Sequence, residues 1–459
     1  MNDAPKTLVI IVTWNKKRYL LDLLDSLSSL DYPRRSLDIL VVDNASSDGT
    51  VEALAGRKDI TLLRNRENLG GTGGFNTGLA WAFAQPEGRY DFLWLLDNDV
   101  QVHRNALTAL VALLRDNPDL AVAGSTMMQL DYPWRINEMG ASFDRRRGVL
   151  KLHRHMEEIT AWKSLPLERL RTLDIDLGRH LPGCPKWRKV DYVAAASLLI
   201  RSEVARQAGL WDDFFIHFDD VEWCLRIARL GHGVAVSADS LIWHLSALSK
   251  VPSWILYYDN RNVLYLLEKH GEPGSVARTR RWIKLKALYY AVLGKQDLSR
   301  LHCRALQDFR KRVKGKSAIE LDPVYRPLGE LETLLSRPEI RKILIPWTVP
   351  TEGLDLPALL SRPGLTVDLL LSPDGTEAAW MNEVPGASKK RPPNRLRRWR
   401  AWLRRQPPYD LVLQSDYRPV PALSRLGRQV LFLNNESLSL RERPRLSSLI
   451  QALWTVALS

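Results

Sequence analysis

The sequence predicts an α/β protein with a mostly parallel sheet flanked by helices, followed by a helical region and a second small α/β domain. Short β-branched runs alternate with helix-like stretches in the first quarter of the chain, a pattern typical of a parallel sheet covered by helices. A chain of 459 residues corresponds to two or three domains of about 150 residues. We expect the domains at 1–250, 251–337 and 338–459.

In the first part, most predicted strands are followed by a predicted helix. Strands are expected at 8–12, 37–42, 60–63, 92–97 and 120–124, and helices at 18–30, 77–84 and 106–115. Ligands of open parallel sheets bind beyond the carboxyl ends of the strands. The polar residues at these ends are therefore candidate ligand contacts: Thr13, Asn15, Asp43, Asn44, Asp97 and Asp99.

The rest of the chain is less regular. Weak periodicity over 127–189 predicts a long insertion, and a strand-like run at 192–200 precedes a helix that begins at Ser202. Residues 254–316 are predicted to be helical, basic and Trp-containing. A small Rossmann-like domain is predicted after Pro338, with strands at 342–347, 365–372, 409–416 and 428–435.

The composition is that of a globular protein with an anionic partner. Apolar residues make up 45% and charged residues 26% of the chain, which excludes disordered, collagen-like and all-membrane proteins. A net charge of +14 favours binding to nucleotide phosphates, nucleic acid or an acidic membrane. Three cysteines without a CxxC pair exclude a disulfide framework and a cysteine zinc site. The N-terminus resembles neither a signal peptide nor a membrane span, so a cytosolic location is expected.

Two aspartates follow the apolar run FLWLL. Asp97 and Asp99, with Asn98 between them, close this strand, so their carboxylates should face one cleft, where Mn²⁺ or Mg²⁺ can bridge them to a diphosphate. Two solvated turn aspartates are the alternative, and the buried strand favours the metal site.

Two further segments are predicted to contact a nucleotide. Asp43 can accept the imide N–H of uracil or thymine, or a ribose hydroxyl, and capping of the following turn is the alternative. The segment NLGGTGGFN contains Asn68, Gly71 and Gly74, and its glycines would let backbone N–H groups approach a phosphate or a ring. It matches neither the P-loop nor the dinucleotide-binding pattern.

Five motifs in order are VTWN, VVDNASSDGT, NLGGTGGFN, LLDNDV and FFIHFDDVEWCLR. They resemble the family 2 glycosyltransferases of the GT-A fold over residues 6–250. The resemblance implies a nucleotide sugar held on the first half of the domain. It also implies that Asp97 and Asp99 contact the metal and the ribose, that His244 completes the metal site, and that Asp220 is the catalytic base.

The residues around Asp220 agree with that role. Inverting transfer requires one carboxylate to take the acceptor proton while a metal ion neutralises the departing diphosphate. Carboxylates crowd between Asp212 and Glu222 among Trp and Phe residues, which should raise at least one pKa. Acids favoured by a helix dipole are the alternative, and Asp219 is the competing candidate for the base.

Nearby aromatic residues are candidate substrate contacts. Trp211 and Trp223 offer flat faces for sugar stacking, although aromatic residues more often belong to the core. His217 either positions a substrate or packs between phenylalanines. A lone histidine such as His244 is more often structural than a ligand, but imidazole suits Mn²⁺ and tolerates Mg²⁺.

The segment FIHFDDVEW is similar to bacterial galactofuranosyltransferases and their rhamnosyltransferase relatives. This similarity implies a UDP- or dTDP-sugar donor and a glycan or polyprenyl-linked acceptor in cell-surface polysaccharide synthesis. A non-catalytic nucleotide-sugar-binding or membrane scaffold is the alternative. Nucleotidyl transfer is disfavoured, because the expected Arg/Lys-rich signature after the first strand is absent, and VTWNKK offers only Lys16 and Lys17.

The segment Lys389–Arg405 carries nine basic residues and no acid. As a helix, it would present Leu396, Trp399 and Leu403 beside a cationic face suited to an anionic membrane. A solvated loop is an equal alternative. Nucleic acid is not expected, since no recognised RNA-binding signature accompanies the segment. The expected location is cytoplasmic, peripheral on the inner face of the membrane.

Overall fold

The computed structural model describes residues 4–245, 255–293, 295–318, 326–349, 354–372, 375, 377, 379–391, 407–416, 419–433, 437–442, 450 and 453–454. The chain divides into two compact units. One comprises Met1–Lys250, Tyr258–Thr279 and Asp308–Ile319, and the other comprises Val251–Tyr257, Arg280–Gln307 and Glu320–Ser459. Residues of the predicted middle part are shared between these units, and the three-part division stays a prediction.

The strands of the first unit are β1 (Thr7–Thr13), β2 (Leu37–Asp43), β3 (Thr61–Arg64), β4 (Phe92–Asp97), β5 (Val100–Val102), β6 (Leu120–Gln129), β7 (Ile136–Glu138), β8 (Ala141–Asp144), β9 (Val149–Leu152), β10 (Trp187–Lys189), β11 (Leu198–Arg201) and β12 (Gly233–His244). Its helices are α1 (Lys17–Ser28), α2 (Thr50–Leu54), α3 (Gly70–Phe83), α4 (Ala106–Asp116), α5 (Leu167–Leu170), α6 (Leu177–His180), α7 (Ser202–Ala208) and α8 (Asp219–Arg229). The later helices are α9 (Ile255–His270), α10 (Ser275–Val292), α11 (Gln296–Arg310), α12 (Leu331–Leu335) and α13 (Leu356–Leu360).

The main sheet has most of its strands pointing the same way. Within the described residues its order is β10-β12-β6-β11-β4-β1-β2-β3, with β5 beside β12 and β7 beside β6. β1 is parallel to β2 and β4, and β6 is parallel to β12. β11 runs antiparallel between β4 and β6, so β4, β6 and β12 share one direction. The predicted α/β class with a mostly parallel sheet flanked by helices is confirmed.

Both faces of this sheet are covered, which explains the continuous apolar strands. Leu8 and Ile10 of β1 pack in one core layer with residues of α3 and α8. Val9 and Ile11 pack in the other layer with residues of α1 and α4. Because the parallel strands share one direction, their carboxyl ends meet at one edge of the sheet. Ligands of such sheets bind at this edge.

Three predicted elements differ from the structure. The helix predicted at 77–84 begins at Gly70, because glycines allow it to approach β1 closely: a Cβ at Gly74 would lie 2.3 Å from Cγ1 of Val12. The strand predicted at 192–200 is confined to β11, and Ala195–Ser197 form a 3-10 turn before it. The insertion over 127–189 carries the short strands β7 to β10.

The second unit contains the predicted small α/β domain. Its strands are β13 (Arg326–Pro327), β14 (Lys342–Pro346), β15 (Thr366–Leu370), β16 (Ser388–Lys390), β17 (Tyr409–Ser415), β18 (Gly427–Leu433) and β19 (Ser437–Glu442). They pair in the order β13-β19-β18-β17-β14-β15-β16. The strands from β14 to β18 are parallel.

The predicted membrane segment Lys389–Arg405 lies outside the described residues from residue 392 to its end. Among the helices that the structure describes, none combines the length and the apolar character needed to cross a bilayer.

Candidate functional site

The turn after β4 brings three predicted metal ligands together. β5 folds back from Asp97 and Asp99 and pairs with the end of β12, where Val100 lies opposite His244. Nε2 of His244 is 3.1 Å from Oδ1 of Asp99 and 3.8 Å from Oδ2 of Asp97. Long-range strand pairing therefore gathers residues that are far apart in the sequence.

These three residues fit a divalent cation. Each offers one ligand atom, and the atoms lie within 4.8 Å of one another. Two carboxylates and an imidazole form a donor set suited to Mn²⁺ or Mg²⁺. The Asp97 side chain is 41% exposed, yet desolvation in the cleft raises its pKa, with the charge of Asp99 adding to the rise and His244 opposing it. The net effect favours the protonated form of Asp97, which the positive charges of His244 and Lys16 oppose.

The predicted nucleotide contacts of β1, β2 and β4 hold the strand ends together. Nδ2 of Asn98 donates to Oγ1 of Thr13 at 2.8 Å. Oδ1 of Asn15 accepts from the Ser47 backbone at 2.7 Å. The Asp43 carboxylate accepts from the Ser46 backbone, which is the turn capping considered from the sequence. Contact between these residues and a nucleotide stays a prediction.

The glycine-rich segment is the first turn of α3. Oδ1 of Asn68 accepts from the Gly70 backbone at 2.8 Å, and Nδ2 of Asn44 donates to the Gly70 carbonyl at 2.8 Å. A Cβ at Gly71 would lie 4.0 Å from Oδ2 of Asp219. The segment expected to approach a phosphate or ring is thus packed against the predicted catalytic acids, and a nucleotide contact of Gly71 and Gly74 stays a prediction.

Residues 214–220, named the acid loop here, carry the predicted base. Phe215, His217 and Phe218 adopt positive φ values of 69°, 64° and 65°, a conformation that non-glycine residues seldom take. Asp219 and Asp220 then begin α8. The loop turns both carboxylates toward one cavity.

The two carboxylates differ in their hydrogen bonds. Asp219 accepts from Oγ1 of Thr72 at 2.6 Å. Asp220 accepts from the backbone N–H groups of Ala195 at 3.1 Å and Val221 at 2.8 Å. Burial and the adjacent charge of Asp219 raise the pKa of Asp220 well above its usual range, although the two N–H groups oppose the rise. A raised pKa suits a general base.

A cavity of about 360 Å³ joins the metal site to the acids. This volume lies within the range of small-molecule sites, about 300–1,000 Å³. Asp97, Asp219 and Asp220 line it, together with Gly71, Phe75, Leu150, Tyr192, Ala195, Trp211, Ile216, His217, Phe218, Val221 and Asp259.

One predicted sugar contact is wrong. Trp223 is fully buried, its indole N–H donates to the Gly209 carbonyl, and its ring packs on Trp211 with centroids 5.6 Å apart. It is a core residue. Trp211 and His217 line the cavity, and their contact with substrate stays a prediction.

Four further residues, which no sequence motif predicts, join the site. Lys16 forms an ion pair with Asp99 at 2.5 Å, Thr72 binds Asp219, and Asp259 binds Nδ1 of His217 at 2.7 Å. Tyr192 lies on the cavity wall, where burial and the charge of Asp220 raise its pKa. No sequence motif marks Thr72, Asp259 or Tyr192 as site residues. Lys16 is marked only by the cationic pair that it forms with Lys17 in the sequence.

Part of the sequence is similar to known glycosyltransferases. The sequence model described as Glycosyl transferase family 2 matches residues 8–161. The chain is 28% identical over 237 residues to galactofuranosyltransferase GlfT1 of Mycolicibacterium smegmatis, covering 50% of this chain and 68% of that protein. It is 24% identical over 242 residues to galactofuranosyltransferase GlfT2 of the same organism, covering 50% of this chain and 36% of that protein.

The chain therefore spans about a third of the length of GlfT2. Among solved structures, it is similar to Staphylococcus aureus TarS 1-349 in complex with UDP-GlcNAc. The TM-score is 0.42 with 16% identity, over 67% of this chain and 81% of that one.

Proposed function

We propose, from the family 2 glycosyltransferase match over residues 8–161, that the protein is a metal-dependent inverting glycosyltransferase. The observation that carries this proposal is the shared cavity: Asp97 of the metal site and the acids Asp219 and Asp220 line the same volume. Inverting transfer requires a base on one side of the sugar and charge neutralisation on the other. This pocket provides both groups.

Each acid has a separate role in this proposal. Asp220 takes the proton from the acceptor hydroxyl, because its pKa is raised and a base of higher pKa accepts a proton more readily. Asp219 is tied to Thr72 and orients the loop. His217 and Trp211 contact the sugars on the cavity wall.

Asp97, Asp99 and His244 would hold the cation. A bound Mn²⁺ or Mg²⁺ would neutralise the diphosphate of the leaving group. Lys16 pairs with Asp99 and adds positive charge on the donor side.

The proposed donor is UDP-galactofuranose, with dTDP-rhamnose as the second candidate, since the curated relatives are galactofuranosyltransferases. The proposed acceptor is a glycan or a lipid-linked glycan of the cell surface. Thr13, Asn15, Asp43 and Asn98, at the ends of β1, β2 and β4, contact the nucleotide in this proposal.

An anionic membrane is the proposed partner of the second unit. One face of α10 exposes Trp282, Leu285 and Tyr289, which are 59%, 50% and 38% accessible, with Arg281 and Lys286 exposed beside them. α10 has no acidic residue. Aromatic and aliphatic side chains bordered by cations are typical of helices that lie on anionic lipid surfaces.

A panel of nucleotide sugars tests the function. The protein is incubated with Mn²⁺, one donor and a galactan oligosaccharide, and transfer is followed by mass spectrometry. We expect transfer from UDP-galactofuranose that stops when the metal is chelated. Binding of UDP without transfer from any donor would favour the scaffold alternative.

A further inference from the structure

The acid loop is strained and needs support from outside itself. Phe215, His217 and Phe218 all have left-handed backbone conformations. Such a backbone conformation is unfavourable for a residue with a side chain and persists only where the surroundings enforce it. The contacts that enforce the loop conformation are therefore informative about function.

Asn262 of α9 binds the loop backbone directly. Its side chain is fully buried, and Nδ2 reaches the carbonyl oxygens of Phe214 at 3.1 Å, Ile216 at 2.8 Å and His217 at 3.0 Å. The single amide group of Asn262 therefore hydrogen-bonds to carbonyl groups before and after the strained residue Phe215.

Two neighbours on α9 extend this contact. Arg261 is fully buried and donates to the Phe214 carbonyl at 3.0 Å and the Gly315 carbonyl at 2.8 Å. Asp259 binds the ring of His217 at 2.7 Å. Burying a guanidinium group is unfavourable unless it is hydrogen-bonded. The buried Arg261 side chain therefore holds the carbonyl groups of Phe214 and Gly315 in position.

We propose that Asp259, Arg261 and Asn262 are positioning residues that hold the acid loop in its reactive geometry. The proposal rests on the proposed function, since it assigns these residues to the same transfer reaction. Asn262 and Arg261 fix the loop backbone before Asp219 and Asp220, and Asp259 sets the orientation of the His217 ring on the cavity wall. All three residues lie beyond the matched region 8–161.

The charges around His217 agree with this arrangement. Burial lowers the pKa of the imidazole, but Asp259, Asp219 and Asp220 outweigh that effect and raise it. A protonated ring can donate hydrogen bonds from both nitrogens. With one nitrogen held by Asp259, the other is left to a sugar or phosphate oxygen.

The test compares two arginines with the same kind of contact. Arg206 binds the carbonyl groups of Phe83 and Gln85 at the end of α3, away from the acid loop. Arg261→Gln and Asn262→Ala are compared with Arg206→Gln in the full-length protein. The measurements are thermal unfolding, affinity for UDP with Mn²⁺, transfer kinetics, and hydrogen exchange of the amides at 214–221.

We expect Asn262→Ala and Arg261→Gln to lower kcat at least tenfold, to leave UDP affinity within about threefold, and to accelerate exchange in the acid loop. Arg206→Gln should lower thermal stability similarly without changing kcat or loop exchange. Equal kcat losses in all three variants, or unchanged kcat and loop exchange in the α9 variants, would overturn the proposal. If the wild-type protein transfers no sugar, the proposed function fails, and loop exchange alone then decides whether α9 holds the loop.

Discussion

Asp220 combines a catalytic advantage with a loss of stability. Its pKa is raised in the folded protein by burial and by Asp219, so folding favours the protonated form. The resulting stabilisation is fully present below the unfolded pKa of about 4 and is lost as pH rises through the folded pKa. Above the folded pKa of about 8, the charged carboxylate destabilises the fold, and the same raised pKa makes it a stronger base.

Replacing Asp220 by Asn should separate these effects. Transfer should fall roughly 100- to 10,000-fold, the usual contribution of a general base, while UDP affinity is retained. The free energy of unfolding at pH 8 should rise by about 0.5–2 kcal/mol, and the gain should disappear near pH 4. Kinetics and denaturant titrations at both pH values measure these changes.

Asp219→Asn is the control for this experiment. It should cost less activity, because Asp219 accepts from Thr72 and has an orienting role. Inactive Asp219→Asn together with active Asp220→Asn would reverse the two assignments.

Asp99→Ala tests the metal site. Because Asp99 contacts both His244 and Lys16, its loss should abolish transfer and remove the Mn²⁺ dependence of UDP binding, measured by calorimetry with and without EDTA. Asp116→Ala, an exposed acid at the end of α4, should behave as wild type. Full activity of Asp99→Ala would exclude the proposed site.

Among single residues, those that belong to a sequence motif could be predicted. Those that only pair with a distant motif residue could not. Asp97 and Asp99 follow a buried strand, a pattern visible in the sequence. Lys16 and Thr72 are bonded to acids 83 and 147 residues away, and nothing in their neighbourhood marks that pairing. From the sequence Trp223 is a candidate for both sugar stacking and core packing, because aromatic side chains suit both, and only its burial decides between them.

Helix α3 links strands β1 and β2 to the acid loop. The Thr72 N–H donates to the Phe215 carbonyl at 3.2 Å. A Cβ at Gly70 would lie 2.0 Å from the same carbonyl oxygen, and Gly70 has a φ of +73°. This residue therefore sets the distance between the helix and the loop.

Gly70→Ala should destabilise the protein by more than 2 kcal/mol, since it combines backbone strain with a clash against main-chain atoms. Transfer by the remaining folded protein should fall. The matched control is Gly56→Ala, at φ +90° with nothing within 4 Å, which should show the strain alone. Urea denaturation measures both variants, and equal losses would contradict the contact-based explanation.

Helices and strands could be predicted where the hydrophobic pattern of the sequence matches the way the residues pack in the fold. β4 has the predicted bounds, because FLWLL is buried on both faces. The start of α3 was not predictable, since glycine has a low helix propensity and only contact with β1 makes it favourable. The run at 192–200 reads as one strand, although Ala195–Ser197 form a 3-10 turn and the Ala195 N–H donates to Asp220.

Across the whole molecule, the net charge of +14 suits the two anionic partners that we propose, the donor phosphates and an anionic membrane. The donor phosphates require cations near the metal site, and a membrane requires a cationic surface. The face of α10 formed by Arg281, Trp282, Leu285, Lys286 and Tyr289 provides such a surface. The predicted role of Lys389–Arg405 stays a prediction.

Arg281→Gln with Lys286→Gln should weaken binding to phosphatidylglycerol vesicles by roughly 25-fold, at about 1 kcal/mol per cation near the surface. Trp282→Ala with Leu285→Ala should weaken it further, and added salt should weaken binding of the wild type. Lys58→Gln with Lys311→Gln removes two exposed cations elsewhere and serves as the control. Sedimentation measures binding. An unchanged bound fraction in the α10 variants, or equal losses in the control, would exclude this surface.

The β8–β9 hairpin pairs as a two-stranded sheet of its own, yet Leu150 of β9 lines the cavity. Mutations in the hairpin can reshape one wall of the pocket without shifting the register of the strands that carry Asp97 and His244. Variation confined to this hairpin can therefore change which molecules fit the cavity while Asp97, Asp219 and Asp220 keep their positions.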